Sequence, residues 1–138
     1  MTIFSALATS STGLRTYRTW MDAVSDNIAN LNTVRPTDAE AFRARFVVAE
    51  AVDYGTSGQP GVGGGSRVAG ITYGDPAGRL VYEPDHPLAD AQGYVRYPDI
   101  DLGAQMTNIL LAQRGYQANL AVVERATQAY QAALQLGR

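Results

Sequence analysis

The side chains best suited to chemistry surround the only histidine, His86. Asp85 precedes it and Asp90 follows four residues later, so the three could hold a metal ion or transfer a proton. A metal site normally needs three or four ligands, and the prolines on both sides of His86 favour a turn. We therefore expect His86 to be a hydrogen-bonded turn residue. A small metal-dependent hydrolase that uses these three residues is the alternative.

Two other patterns suggest chemistry but lack parts of the required motif. The glycine-rich run GTSGQPGVGGGS at 55–66 lacks the Gly-Lys-Ser/Thr ending of a phosphate-binding loop, so we predict a flexible surface loop there. Ser10, Ser11 and Ser25 have no histidine partner in a recognisable arrangement. The sequence thus predicts no enzyme, no cofactor, no bound metal and no small-molecule substrate.

The composition is that of a globular chain without a strongly charged partner. The chain has 138 residues, of which 46% are apolar, and this suits one domain with a core. Its net charge of -2 comes from 11 arginines and 13 acids without lysine, so we expect neither nucleic acid nor an anionic membrane as partner. The absence of cysteine excludes disulfides and thiolate sites. The opening MTIFSALATSSTGLR has no basic region and no apolar run of signal-peptide length, so a cleaved Sec signal is not expected.

Apolar residues spaced alternately four and three positions apart predict a long helix at each end of the chain. Ser10 interrupts the N-terminal seam, and Gln113 and Thr127 interrupt the C-terminal seam. We expect Asp101 or Asp99 to cap the start of the second helix and Gly137 to end it. The apolar seam positions are Ile3, Leu7, Leu14, Tyr17, Met21, Val24, Ile28 and Leu31, and then Leu102, Met106, Ile109, Tyr116, Leu120, Val123, Tyr130 and Leu134.

The two helices most simply bury these seams against each other as an antiparallel pair. The second helix is expected to need further cover, because Arg114, Glu124, Arg125 and Arg138 are its only charged residues. We therefore expect contacts with further subunits. Gly13 within the first helix points to a close backbone approach, with local flexibility as the alternative.

The middle of the chain predicts short strands and loops. Residues 42–48, FRARFVV, alternate in polarity as a half-buried strand does. Residues 67–83 are predicted to form a hairpin, because two strand-like runs flank GDPAG and Pro76 suits its turn. Three prolines in residues 84–101 predict an extended segment that lies on a surface.

The predicted fold class is therefore mainly α with a small β region. Long N- and C-terminal helices form an antiparallel coiled-coil-like pair, joined by a short hairpin and extended loops. The expected division is an N-terminal helix in 1–33, a small β and loop region in 34–101 and a C-terminal helix in 102–138.

Two stretches resemble a known family. Residues 23–33, AVSDNIANLNT, resemble the N-terminal signature of the flagellar rod and hook proteins. Residues 81–106, VYEPDHPLADAQGYVRYPDIDLGAQM, followed by AQRGYQANL at 112–120, resemble the short proximal rod proteins of the flagellar basal body. The chain departs from their pattern at Asp85, where glycine is usual, at Gln105, where an acid is usual, and at Arg35 and Pro36.

This resemblance implies a structural subunit of the flagellar basal-body rod without enzymatic activity. Such a subunit is exported through the flagellar type III apparatus and assembles in the periplasm with itself and with other rod proteins. The alternative from another class is a soluble coiled-coil adaptor that pairs with a partner helix.

The stretch SDNIANLNTV at 25–34 needs an explanation, because asparagine is a weak helix former. Helix termination explains Asn32. Asn27 and Asn30 lie beside the apolar seam, so we expect them to contact neighbouring subunits instead. The expected subunit-interface residues are Leu14, Met21, Asn27, Ile28, Asn30, Met106, Tyr116, Asn119 and Leu120.

Overall fold

The computed structural model describes residues 3–52 and 63–137, which contain two long helices and four short strands. Helix α1 spans Ile3–Ala29 and helix α2 spans Leu102–Leu136. The strands are β1 (Arg45–Ala51), β2 (Ser66–Tyr73), β3 (Arg79–Tyr82) and β4 (Tyr94–Tyr97). Neither helix, over the residues described, carries an apolar stretch long enough to cross a membrane.

The ends of α2 follow the local sequence. The Asp101 carboxylate accepts a hydrogen bond of 2.8 Å from the backbone N–H of Gly103, which satisfies a donor in the first turn of the helix. Gly137 is the C-cap residue. Both predicted ends of this helix are therefore confirmed.

The strands form two separate two-stranded antiparallel sheets, so the predicted hairpin over 67–83 is wrong. Strand β2 pairs with β1, and β3 pairs with β4. The turn between β2 and β3 pairs with the segment before β1 instead of closing on itself. Its Gly74 N–H donates to the Ala44 carbonyl (2.8 Å), and the Ala41 N–H donates to the Pro76 carbonyl (2.9 Å). These bonds direct β3 away from β2.

The predicted fold class is also wrong in its coiled-coil contact. Leu102, Met106 and Leu120, which belong to the predicted seam of α2, lie on an exposed side of that helix. The face that packs inward carries Gln105 and Ala112, which are both buried. The described chain therefore combines two helices with two small sheets, and its helix contact follows small and polar residues.

Small residues allow the two helices to approach closely. A Cβ atom on Gly13 would lie 2.5 Å from the Asn119 side-chain oxygen, and one on Gly115 would overlap the ring of Tyr17. A close approach at Gly13 is therefore present within the chain, where the Asn119 side chain makes it, and a contact of Gly13 with a further subunit stays a prediction. The helices run antiparallel, because Phe4 near the start of α1 contacts the Tyr130 ring near the end of α2, with ring centroids 5.8 Å apart.

The β3–β4 sheet forms a second packed region. Val95 in β4 is fully buried, and Pro98 and Ile100 are buried just after the strand. Arg35 pairs with Arg96 on the other side of β4 through two backbone hydrogen bonds of 2.9 Å. The segment 84–101, predicted to be an extended surface segment, therefore supplies both a strand and core residues.

A carboxylate links the loop before β4 to the loop after α1. Asp90 accepts hydrogen bonds from the backbone N–H groups of Tyr94 and Gln92 (both 2.9 Å) and from the Thr37 hydroxyl (3.0 Å). The Tyr94 N–H lowers the pKa of the Asp90 carboxyl most, and the Thr37 hydroxyl lowers it further. The carboxylate form therefore fixes the relative position of these two loops.

Two predictions are not decided by the described residues. The glycine-rich loop predicted at 55–66 lies outside them over residues 55–62. The division of the chain into units 1–33, 34–101 and 102–138 stays a prediction.

Replacing Gly115 with alanine tests the close helix contact. Alanine normally stabilises a helix by about 1 kcal/mol relative to glycine. We expect Gly115→Ala to lower the free energy of unfolding instead, by about 1–3 kcal/mol, because the new methyl group would overlap the Tyr17 ring. Urea unfolding measures the change, and Gln117→Ala on the exposed side of α2 is the control, with an expected change within about 0.5 kcal/mol. A more stable Gly115→Ala chain would contradict the close contact.

Candidate subunit interface

The side chain of Asn27 joins three elements of the fold. Its Oδ1 accepts a hydrogen bond of 2.8 Å from the Arg45 N–H, and its Nδ2 donates to the Arg45 carbonyl at 3.0 Å. The same Nδ2 donates to the Gln105 Oε1 at 3.1 Å. Asn27 is 1% exposed, so α1 meets β1 and α2 here without competing water. We call this cluster of Asn27, Arg45 and Gln105 the asparagine joint.

The neighbouring polar residues end helix α1. The Asn30 amide donates to the Asp26 carbonyl at 2.9 Å, and its oxygen accepts from the Thr33 hydroxyl at 3.2 Å. Asp26 also forms an ion pair of 2.5 Å with Arg45, but both side chains are more than a third exposed, so this pair stabilises weakly. Helix termination therefore accounts for the hydrogen bonds of Asn30. A role for Asn30 between subunits stays a prediction.

The expected interface residues divide by exposure. Asn27 is buried inside the chain, and Met106 and Leu120 are exposed. The remaining six are half-buried: Leu14, Met21, Ile28, Asn30, Tyr116 and Asn119. The Asn119 side chain lies against Gly13 and donates to the Gly115 carbonyl at 2.8 Å, so it already serves the α1–α2 contact. A contact of any of the nine with a second subunit stays a prediction.

Helix α2 presents large apolar side chains to solvent along most of its length. We call these residues the outer surface of α2. They are Leu102, Met106, Leu110, Leu111, Leu120, Val122 and Leu134, each between 39% and 56% exposed. Seam spacing missed Leu110, Leu111 and Val122, although the low charge of the helix indicated apolar cover on several sides. Exposed apolar residues in such number along one element indicate an interaction surface.

The His86 cluster has the geometry of a turn. The His86 Nδ1 accepts a hydrogen bond of 3.1 Å from the Leu88 N–H, and its backbone N–H donates to the Glu83 carbonyl at 3.1 Å. The prediction of a hydrogen-bonded turn residue is confirmed. Over residues 3–52 and 63–137, no three His, Cys, Asp or Glu residues are grouped as metal ligands would be.

Comparison with known families matches both ends of the chain. Residues 7–37 match the family described as flagella basal body rod protein, and residues 91–136 match the family described as flagellar basal body rod FlgEFG protein C-terminal. These matches contain Asn27 and Gln105 of the asparagine joint and all seven residues of the outer surface of α2.

Curated relatives agree over the whole length. The chain is 31% identical to the flagellar basal-body rod protein FlgC of Bacillus subtilis, with 100% of each chain covered. It is 33% identical to FlgC of Borreliella burgdorferi over 97% of each chain. It is 40% identical to FlgC of Yersinia enterocolitica over 75% of this chain and 74% of the relative. This chain belongs to the FlgC-like flagellar basal-body rod proteins.

The membership gives the chain a structural role. The rod protein is a structural subunit of the bacterial flagellum, and its place is the rod of the basal body. A structural subunit needs surfaces that remain available after folding. Residues 127–136 of α2 are all exposed, and the helix continues past the Phe4–Tyr130 contact with α1.

Removing the Asn27 amide tests the asparagine joint. We expect Asn27→Ala to lower the free energy of unfolding by about 2–3 kcal/mol, because Gln105 and both backbone groups of Arg45 lose their partner in a buried place. Asn32→Ala is the matched control, since Asn32 is an exposed asparagine of the same stretch. Chemical unfolding of both variants gives the difference. Equal stability of the two variants would contradict the role assigned to Asn27.

Proposed function

We propose that this rod protein is a proximal rod subunit that packs against further copies and other rod proteins through the outer surface of α2. It acts as part of a drive shaft and catalyses no reaction. We further propose that it reaches the rod through the flagellar type III export apparatus, as its resemblance to rod proteins implies. The relatives that support this proposal are named as basal-body rod proteins.

The exposure of the outer surface of α2 is the observation that carries the proposal. A half-exposed leucine still gains roughly 1 kcal/mol when a partner completes its burial. Seven large apolar side chains on one helix therefore offer a substantial driving force for association. The charges of α2 are few, since Arg114, Glu124 and Arg125 are the only ones in its described length. Little electrostatic repulsion opposes packing in a crowded tube.

The length of α2 supports the same proposal. α2 has 35 residues and α1 has 27, so one helix cannot cover the other along its whole length. The excess lies at the C-terminal end of α2, where Leu134 and Leu136 are 56% and 89% exposed. A second subunit that lies alongside this end would bury both leucines.

Two acidic substitutions on the outer surface of α2 test the proposal. We expect Met106→Asp combined with Leu120→Asp to reduce incorporation into isolated basal bodies at least tenfold, because carboxylates cannot be buried against apolar neighbours without a large cost. The monomer should keep its helix content, since Met106 is 51% and Leu120 is 39% exposed in it already. Quantitative blotting of purified basal bodies and swimming in soft agar measure the effect.

The matched control carries the same added charge at exposed positions away from the outer surface of α2. Ser11→Asp combined with Ser25→Asp adds two carboxylates at exposed positions of α1. We expect this variant to retain most of its incorporation and motility. Normal rods in the Met106 and Leu120 variant would contradict assembly through this surface. A discrete dimer in place of a rod would favour the adaptor alternative.

A further inference from the structure

Strands β2 and β3 each have an edge whose outward backbone groups meet no partner among the described residues. In an antiparallel pair, residues alternate between those that bond to the partner strand and those whose backbone groups point away from it. The Glu83 N–H donates to the Gly93 carbonyl at the end of the β3–β4 ladder, which leaves the N–H and C=O of Leu80 and Tyr82 pointing outward. No hydrogen bond to these four groups occurs among the described residues.

The same alternation places Ile71 and Tyr73 on the open edge of β2. The Gly74 N–H bonds to the Ala44 carbonyl, so the next residue along each strand, Tyr73 and Arg45, has backbone groups that point away from the ladder. In β1, the asparagine joint binds the outward N–H and C=O groups of Arg45. In β2, the outward N–H and C=O groups of Ile71 and Tyr73 meet no described partner.

The two open edges match each other in register and in side-chain chemistry. An antiparallel alignment that sets Tyr73 opposite Leu80 also sets Ile71 opposite Tyr82, and both pairs then exchange backbone hydrogen bonds. All four side chains would lie on one face, where they are now between 42% and 62% exposed. Aromatic and branched residues opposite each other are favourable cross-strand pairs.

The side chains of the adjoining strands extend this match. Val47 pairs with Ile71 in one sheet, and Tyr94 pairs with Tyr82 in the other. Joined edges would therefore form an apolar row across four strands, in which the Tyr82 and Tyr94 rings already contact at 5.3 Å. Within one chain this pairing is prevented, because the intervening turn is bonded to Ala41 and Ala44.

We propose that the open edge of β2 in one copy of this chain pairs with the open edge of β3 in a second copy, giving a continuous sheet of four strands. The inference rests on the proposed function. It adds a second contact between copies, which is separate from the outer surface of α2. The contact joins the β2 edge of one copy to the β3 edge of the next. A pair of copies therefore still has a free β3 edge at one end and a free β2 edge at the other. Such a contact generates an open helical array unless its rotation closes a ring. Addition of a strand to an exposed edge is a common mode of protein association.

Cysteine cross-linking between two variants tests the pairing, because the chain has no cysteine of its own. Residues opposite each other in a hydrogen-bonded pair have Cα atoms about 5.5 Å apart, which a disulfide can span. We expect an equal mixture of Tyr73→Cys and Leu80→Cys chains to form, on mild oxidation, at least ten times more disulfide-linked dimer than either variant alone. Concentrated purified chains and basal bodies from cells that produce both variants are the two samples.

Thr72→Cys mixed with Leu80→Cys is the matched control. Thr72 is exposed and adjacent to Tyr73, but its side chain points to the other face of the strand. Equal cross-linking in this control would overturn the proposal, as would a cross-link to a protein of another mass or the absence of any in both samples. Rods that contain both variants without a cross-link would overturn this inference alone. Failure of the chain to enter rods would contradict the proposed function, and the purified mixture would then still decide the strand pairing.

Discussion

The buried amide of Asn27 is the interaction on which the arrangement of the other elements depends. One planar group makes two hydrogen bonds to the backbone of Arg45, one as donor and one as acceptor, and donates a third to Gln105. It therefore fixes where β1 begins relative to α1 and where α2 begins relative to both. The amide also satisfies the outward-facing backbone groups of Arg45 at the start of β1. Away from the joint, the close contacts at Gly13 and Gly115 hold α1 and α2 in the same alignment.

The fully buried residues of α2 are small or polar, whereas many of its large apolar side chains are exposed. Gln105 and Ala112 are buried, and seven leucine, methionine and valine side chains form the exposed outer surface of α2. Small inner residues permit a narrow contact, but they bury little apolar area for a helix of 35 residues. A rod subunit gains from this arrangement, because the large side chains stay available until neighbouring subunits cover them. The same residues would be a liability in a protein that works alone.

The sequence permitted correct prediction of features that depend on local chemistry. The two helices, the Asp101 cap and the turn at His86 each follow from residues close together in the chain. The family resemblance is carried by short motifs at both ends, and the comparisons confirm it. These features need no knowledge of how distant segments meet.

Two predictions that depended on distant partners were wrong, namely the coiled-coil seam of α2 and the hairpin over 67–83. The heptad rule assumed that apolar residues define the inner face of α2, whereas the inner face is set by Gly115, Gln105 and the buried amide that Gln105 contacts. In the sequence, Gln105 was notable only because the rod proteins that the chain resembles usually have an acidic residue at that position. The hairpin rule considered the turn around Pro76 by itself, but residues Ala41 and Ala44 of a much earlier segment bind that turn. In both cases long-range hydrogen bonds stabilise a structure that differs from the one predicted from the local sequence.

The central claim is that the asparagine joint organises the monomer, whereas the outer part of α2 becomes stable only when other subunits cover it. Hydrogen exchange of a verified monomer and of assembled rods, resolved by residue, tests this claim most directly. The account predicts that the Arg45 amide, which bonds to Asn27, exchanges slowly in both forms. It predicts that amides of α2 beyond Tyr130 exchange quickly in the monomer and slowly in the rod. Strong protection of that end of α2 in the monomer, or no gain of protection on assembly, would contradict it.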